Sequence, residues 1–112
     1  MEDILEKLLK ISGMEGALVV GKDGLVISSV GRFSPDPDSF GASVAELVNH
    51  FDTLLQTKGA SQRVTLDQQN GVTQLTAINE VTFLVAQGGT GVNLGRLRLD
   101  SDSVALALGE QL

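Results

Sequence analysis

Apolar positions along the chain recur with two different periods, and the alternation between those periods divides it into elements. Residues 2–11 read EDILEKLLKI, with apolar side chains at 4, 5, 8, 9 and 11. Steps of three and four mark one face of a helix. Glu2 and Asp3 sit where the helix dipole favours anions, and Ser12-Gly13 supplies a stop. Residues 16–31 read GALVVGKDGLVISSVG, in which Ala17–Val20 and Leu25–Val30 flank Gly21-Lys22-Asp23-Gly24. Valine and isoleucine favour strands and Asp-Gly favours a tight turn, so the segment predicts a β-hairpin.

Residues 32–38, RFSPDPD, carry two prolines and two aspartates and predict a loop, after which Asp38 or Ser39 caps a helix. From residue 39 to 58 the apolar set is Phe40, Val44, Leu47, Val48, Phe51, Leu54 and Leu55, widened by Gly41, Ala42 and Ala45. Gly59 is the expected end. A helix apolar on more than one stripe must bury more than one side. Its own sheet accounts for one side, and a partner subunit is the expected cover for the other.

Three strands follow. Arg63–Leu66 alternates polar and apolar, Val72–Ile78 alternates more weakly, and Val81–Ala86 is nearly all apolar, as a central strand should be. Gln69-Asn70-Gly71 and Asn79-Glu80 are turn signals between them. After a glycine-rich link, Val92, Leu94, Leu97 and Leu99 predict a final helix. Asp100-Ser101-Asp102-Ser103 predicts a break in it near residue 100, before the apolar run Val104–Leu108. The order helix-strand-strand-helix-strand-strand-strand-helix, over a single domain spanning 1–112, predicts an α/β (α+β) fold. Its core is a five-stranded antiparallel sheet with helices on both faces.

Composition narrows the functional classes. Hydrophobic residues make up 42 %, which fits a folded chain. The only aromatics are Phe33, Phe40, Phe51 and Phe83, so the core is aliphatic and a base-stacking nucleic-acid site lacks its rings. Fourteen acidic against eight basic residues give a net charge of −6. That balance repels phosphate backbones and anionic lipid surfaces, and Arg96 with Arg98 is a thin basic patch. The chain has no cysteine, which excludes disulfides and thiolate chemistry. No apolar run approaches the ~18 residues that span a bilayer. The start, Met-Glu-Asp, lacks the features of a signal peptide. The expectation is a cytoplasmic protein without nucleic-acid contact or membrane insertion.

Catalytic constellations are sparse. His50 is the single histidine; Glu46 lies one helical turn before it, and only Thr53 stands at helical spacing as a nucleophile. A lone histidine does not anchor a zinc site of the usual kind. Asp36 with Asp38, and Asp100 with Asp102, offer at most loose divalent-ion binding, and no spacing matches a calcium loop. The stretch Gly88-Gly89-Thr90-Gly91-Val92-Asn93-Leu94-Gly95 passes from a predicted strand to a predicted helix, whose bare N–H groups suit phosphate. It has neither the dinucleotide spacing nor the Lys-Ser/Thr of a phosphate loop, so it reads as a connection. Arg32, Arg63, Arg96 and Arg98 are the candidates for an inserted GTPase-activating arginine, and solvated surface charge is the ordinary reading of each. No catalytic, cofactor-binding or metal residue is assigned.

Four pieces together resemble the roadblock/dynein-light-chain family in its prokaryotic form. They are the leading helix Ile4–Gly13; Glu15-Gly16-Ala17-Leu18-Val19-Val20 with Asp23-Gly24-Leu25-Val26-Ile27; the small-residue-rich helix Phe40–Lys58; and Phe83-Leu84-Val85 with Asn93-Leu94-Gly95-Arg96-Leu97-Arg98. The resemblance implies a profilin-like sandwich. It implies a homodimer in which the long helices pack together and edge strands join into one sheet. It also implies regulation of a Ras-like small GTPase, as in bacterial polarity systems, without catalytic residues of its own. The alternative is a scaffold subunit of a larger signalling or motor complex with no effect on GTP hydrolysis. The interface expected is Phe40, Val44, Leu47, Val48, Phe51 and Leu55 on the helix with Arg63 and Thr65 on the strand. An unpaired strand Arg63–Asp67 is an aggregation hazard that dimerisation removes. The departure from the family's pattern lies in the broken and unusually apolar end, which leaves the course of residues 100–112 open.

Overall fold

A computed structural model describes residues 1–112. The chain runs α1 (Glu2–Leu9), β1 (Met14–Gly21), β2 (Val26–Gly31), α2 (Pro37–Leu54), β3 (Arg63–Gln68), β4 (Gly71–Ala77), β5 (Thr82–Gly89) and α3 (Leu94–Gly109), with a 3-10 turn at Gln56–Lys58. The five strands form one sheet in the order β2-β1-β5-β4-β3, every neighbouring pair antiparallel. The first hairpin and the later meander are joined where β5 pairs with β1, Leu18 opposite Val85. β1 and β5 are therefore central, and β2 and β3 are the edges.

Helices pack on both sides of the sheet and bury its central strands. Leu5 and Leu8 of α1 and Leu97, Val104 and Leu108 of α3 close over Ala17, Val19, Leu84 and Ala86 on one face. On the other face, Val44 and Val48 of α2 pack with Leu18, Val20, Leu75, Phe83 and Val85. A strand covered on both faces has no solvent side, so β1 and β5 read as continuous apolar runs rather than alternating ones.

Local chemistry explains the turns. Asp23 Oδ1 accepts from the Leu25 N–H at 3.0 Å, and Gly24 takes φ +90°, which a side chain would strain. Gly41 lets α2 sit down on the sheet: a Cβ there would lie 2.4 Å from Val26 Cγ2 and 3.3 Å from Val20 Cγ2.

Three boundaries differ from the sequence-based expectation. Helix α2 begins at Pro37, and its cap is Asp36, whose Oδ1 accepts from the Ser39 N–H at 2.8 Å. Proline suits the first helical turn because its missing N–H has no helical acceptor there. The α-helical part ends at Leu54, and a 3-10 turn carries the chain to Gly59. The expected break near residue 100 is absent: α3 is continuous from Leu94 to Gly109. Its polar run is held in place by partners. Asp100 pairs with Arg96 at 2.8 Å, Asp102 pairs with Arg63 of β3, and the buried Ser101 hydroxyl meets Gln74 Oε1 at 3.5 Å.

Candidate functional site

The surface most open to a partner is the β3 edge. β3 pairs only with β4, so one side of its backbone is free. The Ala77 N–H donates to the Gln62 carbonyl at 2.9 Å, and these two residues continue the register in which Arg63 faces Thr76. In an antiparallel ladder, residues on one strand alternate in the side to which their N–H and C=O point. Gln62, Val64 and Leu66 thus bond inward to β4, and Arg63, Thr65 and Asp67 turn their backbone groups outward.

Side chains alternate as well. Val64 packs with the α2-side cluster, whereas Arg63 reaches Asp102 of α3 on the opposite face. Helix α2 packs over β1 and β2, leaving Val64 and Leu66 half-buried at the other end of the same face.

A polar hub sets where β3 starts. Asp52, near the end of α2, accepts from the Ser61 N–H at 2.9 Å and meets Lys22 Nζ at 3.2 Å. Asn49 Nδ2 donates to the Lys22 carbonyl at 3.0 Å. Hydrogen bonding from Ser61, and then the Lys22 ammonium, hold the Asp52 carboxyl below the usual carboxylate range despite its partial burial.

The expected interface residues separate into groups. Val44 and Val48 turn to the chain's own sheet and are buried. Phe40, Leu47 and Phe51 lie half-buried along a flank of α2; Leu55 is 56 % exposed and Leu54, beside it, 64 %. Arg63 and Thr65 are half-buried on the edge strand. Arg63 is ion-paired to Asp102, yet its Nε is buried without a partner. Asp67, named by the sequence only as the end of the edge strand, is exposed and in no ion pair. Two further exposed leucines, Leu99 and Leu106, lie seven apart on α3. Their spacing was the available signal.

The other sequence candidates do not converge. His50 and Glu46 are both exposed on α2. Asp36 is spent on its cap, and Asp100 and Asp102 on arginines. No group of three or more His, Asp or Glu comes together in a way that could hold a metal ion. Arg32 and Arg98 are exposed, and Arg96 bonds Asp100. Gly88 and Gly89 belong to β5, while Gly91 and Asn93 line a cleft of about 660 Å³ between α1 and α3 with Lys7, Lys10 and Arg96. Asn93 caps its own helix by accepting from the Arg96 N–H at 3.0 Å, and none of the buried unpartnered polar atoms lies in that cleft. No helix is long and apolar enough to cross a membrane.

Comparison with known proteins bears on this arrangement. Residues 1–88 match the Roadblock/LC7 domain. Two uncharacterized proteins of Methanocaldococcus jannaschii are each 30 % identical over 101 residues, 88 % of this chain and 88 % of theirs. The gliding protein MglB of Thermus thermophilus superposes with a TM-score of 0.87 at 21 % identity, over 97 % of this chain and 85 % of that one. Profilin of Schizosaccharomyces pombe superposes with a TM-score of 0.66 at 15 % identity, over 96 % of this chain and 91 % of profilin. The sandwich is thus profilin-like. The match to the domain model ends at Gly88, so α3, where the sequence departs from the family's pattern, lies beyond it. With residues 1–88 of its 112 matched to that domain, the chain belongs to the Roadblock/LC7 domain family.

Proposed function

We propose that the protein is a non-enzymatic, cytoplasmic, homodimeric interaction module that binds and regulates a Ras-like small GTPase. The observation that carries the self-association is the unpaired β3 edge beside a sheet face that α2 covers only in part. An open edge is a template for another strand, and a native chain pairs or protects it. Pairing of β3 with a second copy extends the sheet. It also brings a second α2 toward Val64, Leu66 and the flank of Phe40, Leu47, Phe51, Leu54 and Leu55.

The small GTPase enters through family membership and the resemblance to bacterial polarity systems. The scattered placement of His50, the carboxylates and the arginines supports a role without catalytic groups. Light scattering of the full chain, followed by single-turnover GTP hydrolysis by a Ras-like GTPase from the same organism, tests the reading. A dimer that binds the GTPase and changes its hydrolysis rate is the expected result. A dimer that binds and leaves the rate unchanged favours a scaffold subunit of a larger complex. A monomer at high concentration removes the dimeric module.

A further inference from the structure

We propose that the cleft between α1 and α3 is a separate docking surface, which takes a short acidic segment of a partner protein. It lies on the face of the sheet opposite α2 and depends on neither the homodimer nor the GTPase proposed above.

Charge is the first observation. The chain as a whole is acidic, with fourteen carboxylate side chains against eight basic ones. The cleft inverts that balance: Lys7, Lys10 and Arg96 line it, and Asp100 is its only carboxylate. Asp100 is already engaged by Arg96 Nε at 2.8 Å, so its charge is largely offset. Lys7 and Lys10 are exposed and in no ion pair within the chain. The Arg96 side chain is 64 % accessible. A guanidinium has five N–H donors, and those turned away from Asp100 remain open to an arriving carboxylate. Three reachable cations around one cleft attract and orient an anionic partner, although the net charge of the chain repels one elsewhere.

The lining then selects the kind of anion. Ile11 and Val104 are the only apolar residues of the cleft, and both are buried, so they form its floor beneath a polar rim. Sites for small organic ligands are mostly apolar and enclose what they bind, which this rim does not. No aromatic ring lines the cleft to stack a nucleobase. No buried donor without a partner waits there to fix a lone inorganic anion. Lys7 and Lys10 stand three apart on one face of α1, and Arg96 faces them from α3. A chain segment with several carboxylates meets all three cations at once and can set one apolar side chain on Ile11 and Val104. The α3 wall of the cleft lies beyond the residues matched to the domain, so family membership does not by itself supply this surface.

The test is a titration of the isotope-labelled full chain with an oligo-glutamate peptide carrying one central leucine. Amide NMR locates the contact, and fluorescence anisotropy of the labelled peptide gives the affinity. Shifts are expected to centre on Lys7, Lys10, Ser12, Asn93 and Arg96, with an affinity that falls as salt rises, because exposed charges are screened. The double variant Lys7→Glu with Lys10→Glu is expected to weaken binding by about tenfold or more. Lys7→Gln with Lys10→Gln keeps good helix formers at both positions and should weaken it in the same direction. Arg32→Glu, exposed and outside the cleft, should leave it unchanged. Circular dichroism confirms that each variant is folded. Shifts confined to other residues, no shift at all, or glutamine variants that bind as wild type overturn the proposal. Inorganic phosphate that produces the shifts where the peptide does not identifies a small-anion site instead. Binding to phosphatidylserine vesicles without binding of the peptide identifies a lipid surface. Either result overturns the acidic segment.

Discussion

The Asp52 carboxylate accepts the Ser61 N–H at 2.9 Å and so ties the last turn of α2 to the segment that enters β3. Through the same side chain, Lys22 joins at 3.2 Å, so the first hairpin, the long helix and the edge strand share one anchor. The edge is held at a defined place although only β4 pairs with it.

Removing that anchor has a pH signature. Asp52→Ala leaves the Ser61 N–H and the Lys22 ammonium unpartnered and costs about 1–3 kcal/mol by urea unfolding near neutral pH. The folded carboxyl titrates below its ordinary 3.8, so its contribution is complete above that value and fades as pH falls through the lower, folded pKa. The stability gap between wild type and Asp52→Ala is expected to stay constant above about pH 5 and to narrow below about pH 4. A gap unchanged down to pH 3 contradicts this account.

Acidic substitutions on α2 should divide by face. Val48 is fully buried, and a carboxylate there costs several kcal/mol and unfolds the chain. Val44→Asp behaves the same way, because Val44 faces the same core. Phe51→Asp lies on the half-exposed flank and should leave a folded chain with a lower mass in solution. Circular dichroism and light scattering on the three variants make the comparison.

Gly41→Ala tests the seat of α2. Helix propensity alone favours the alanine by about 1 kcal/mol. The added methyl meets Val26 Cγ2 at 2.4 Å with Val20 Cγ2 at 3.3 Å beside it, and overpacking of this kind costs about 1–3 kcal/mol. The net change is expected to be destabilising in a thermal melt; a rise in Tm argues that the helix shifts freely.

Beneath α3 lies a stabilisable seam. Gln74 is buried with Nε2 unpaired, and its contact with Ser101 is long at 3.5 Å. Replacing both partners, Gln74→Leu with Ser101→Ala, removes an unsatisfied buried amide without stranding its neighbour. A gain of about 1 kcal/mol is expected, or ~4–8 °C in Tm for a domain of this size. Ser101→Ala alone should not help, because it strands Gln74 further.

What the sequence by itself determined is what rests on neighbours along the chain. Asp23-Gly24 between two β-branched runs makes the hairpin, because a tight turn is closed by its own residues. The unbroken apolar runs of β1 and β5 announced strands with no solvent face, and with them helices on both sides. The four family-like pieces followed the same local chemistry. The tertiary structure alone decided the rest. Val44, Val48 and Phe51 are alike in chemistry, and only the placement of α2 over β1 and β2 shows which of them the chain keeps for itself. The run Asp100–Ser103 looked like a break because its partners, Arg63 and Gln74, lie 39 and 27 positions away. β5 reaches β1 across the whole of α2 and the meander, and that pairing leaves β3 as an open edge. These outcomes depend on groups far apart in sequence, and no local spacing carries that information.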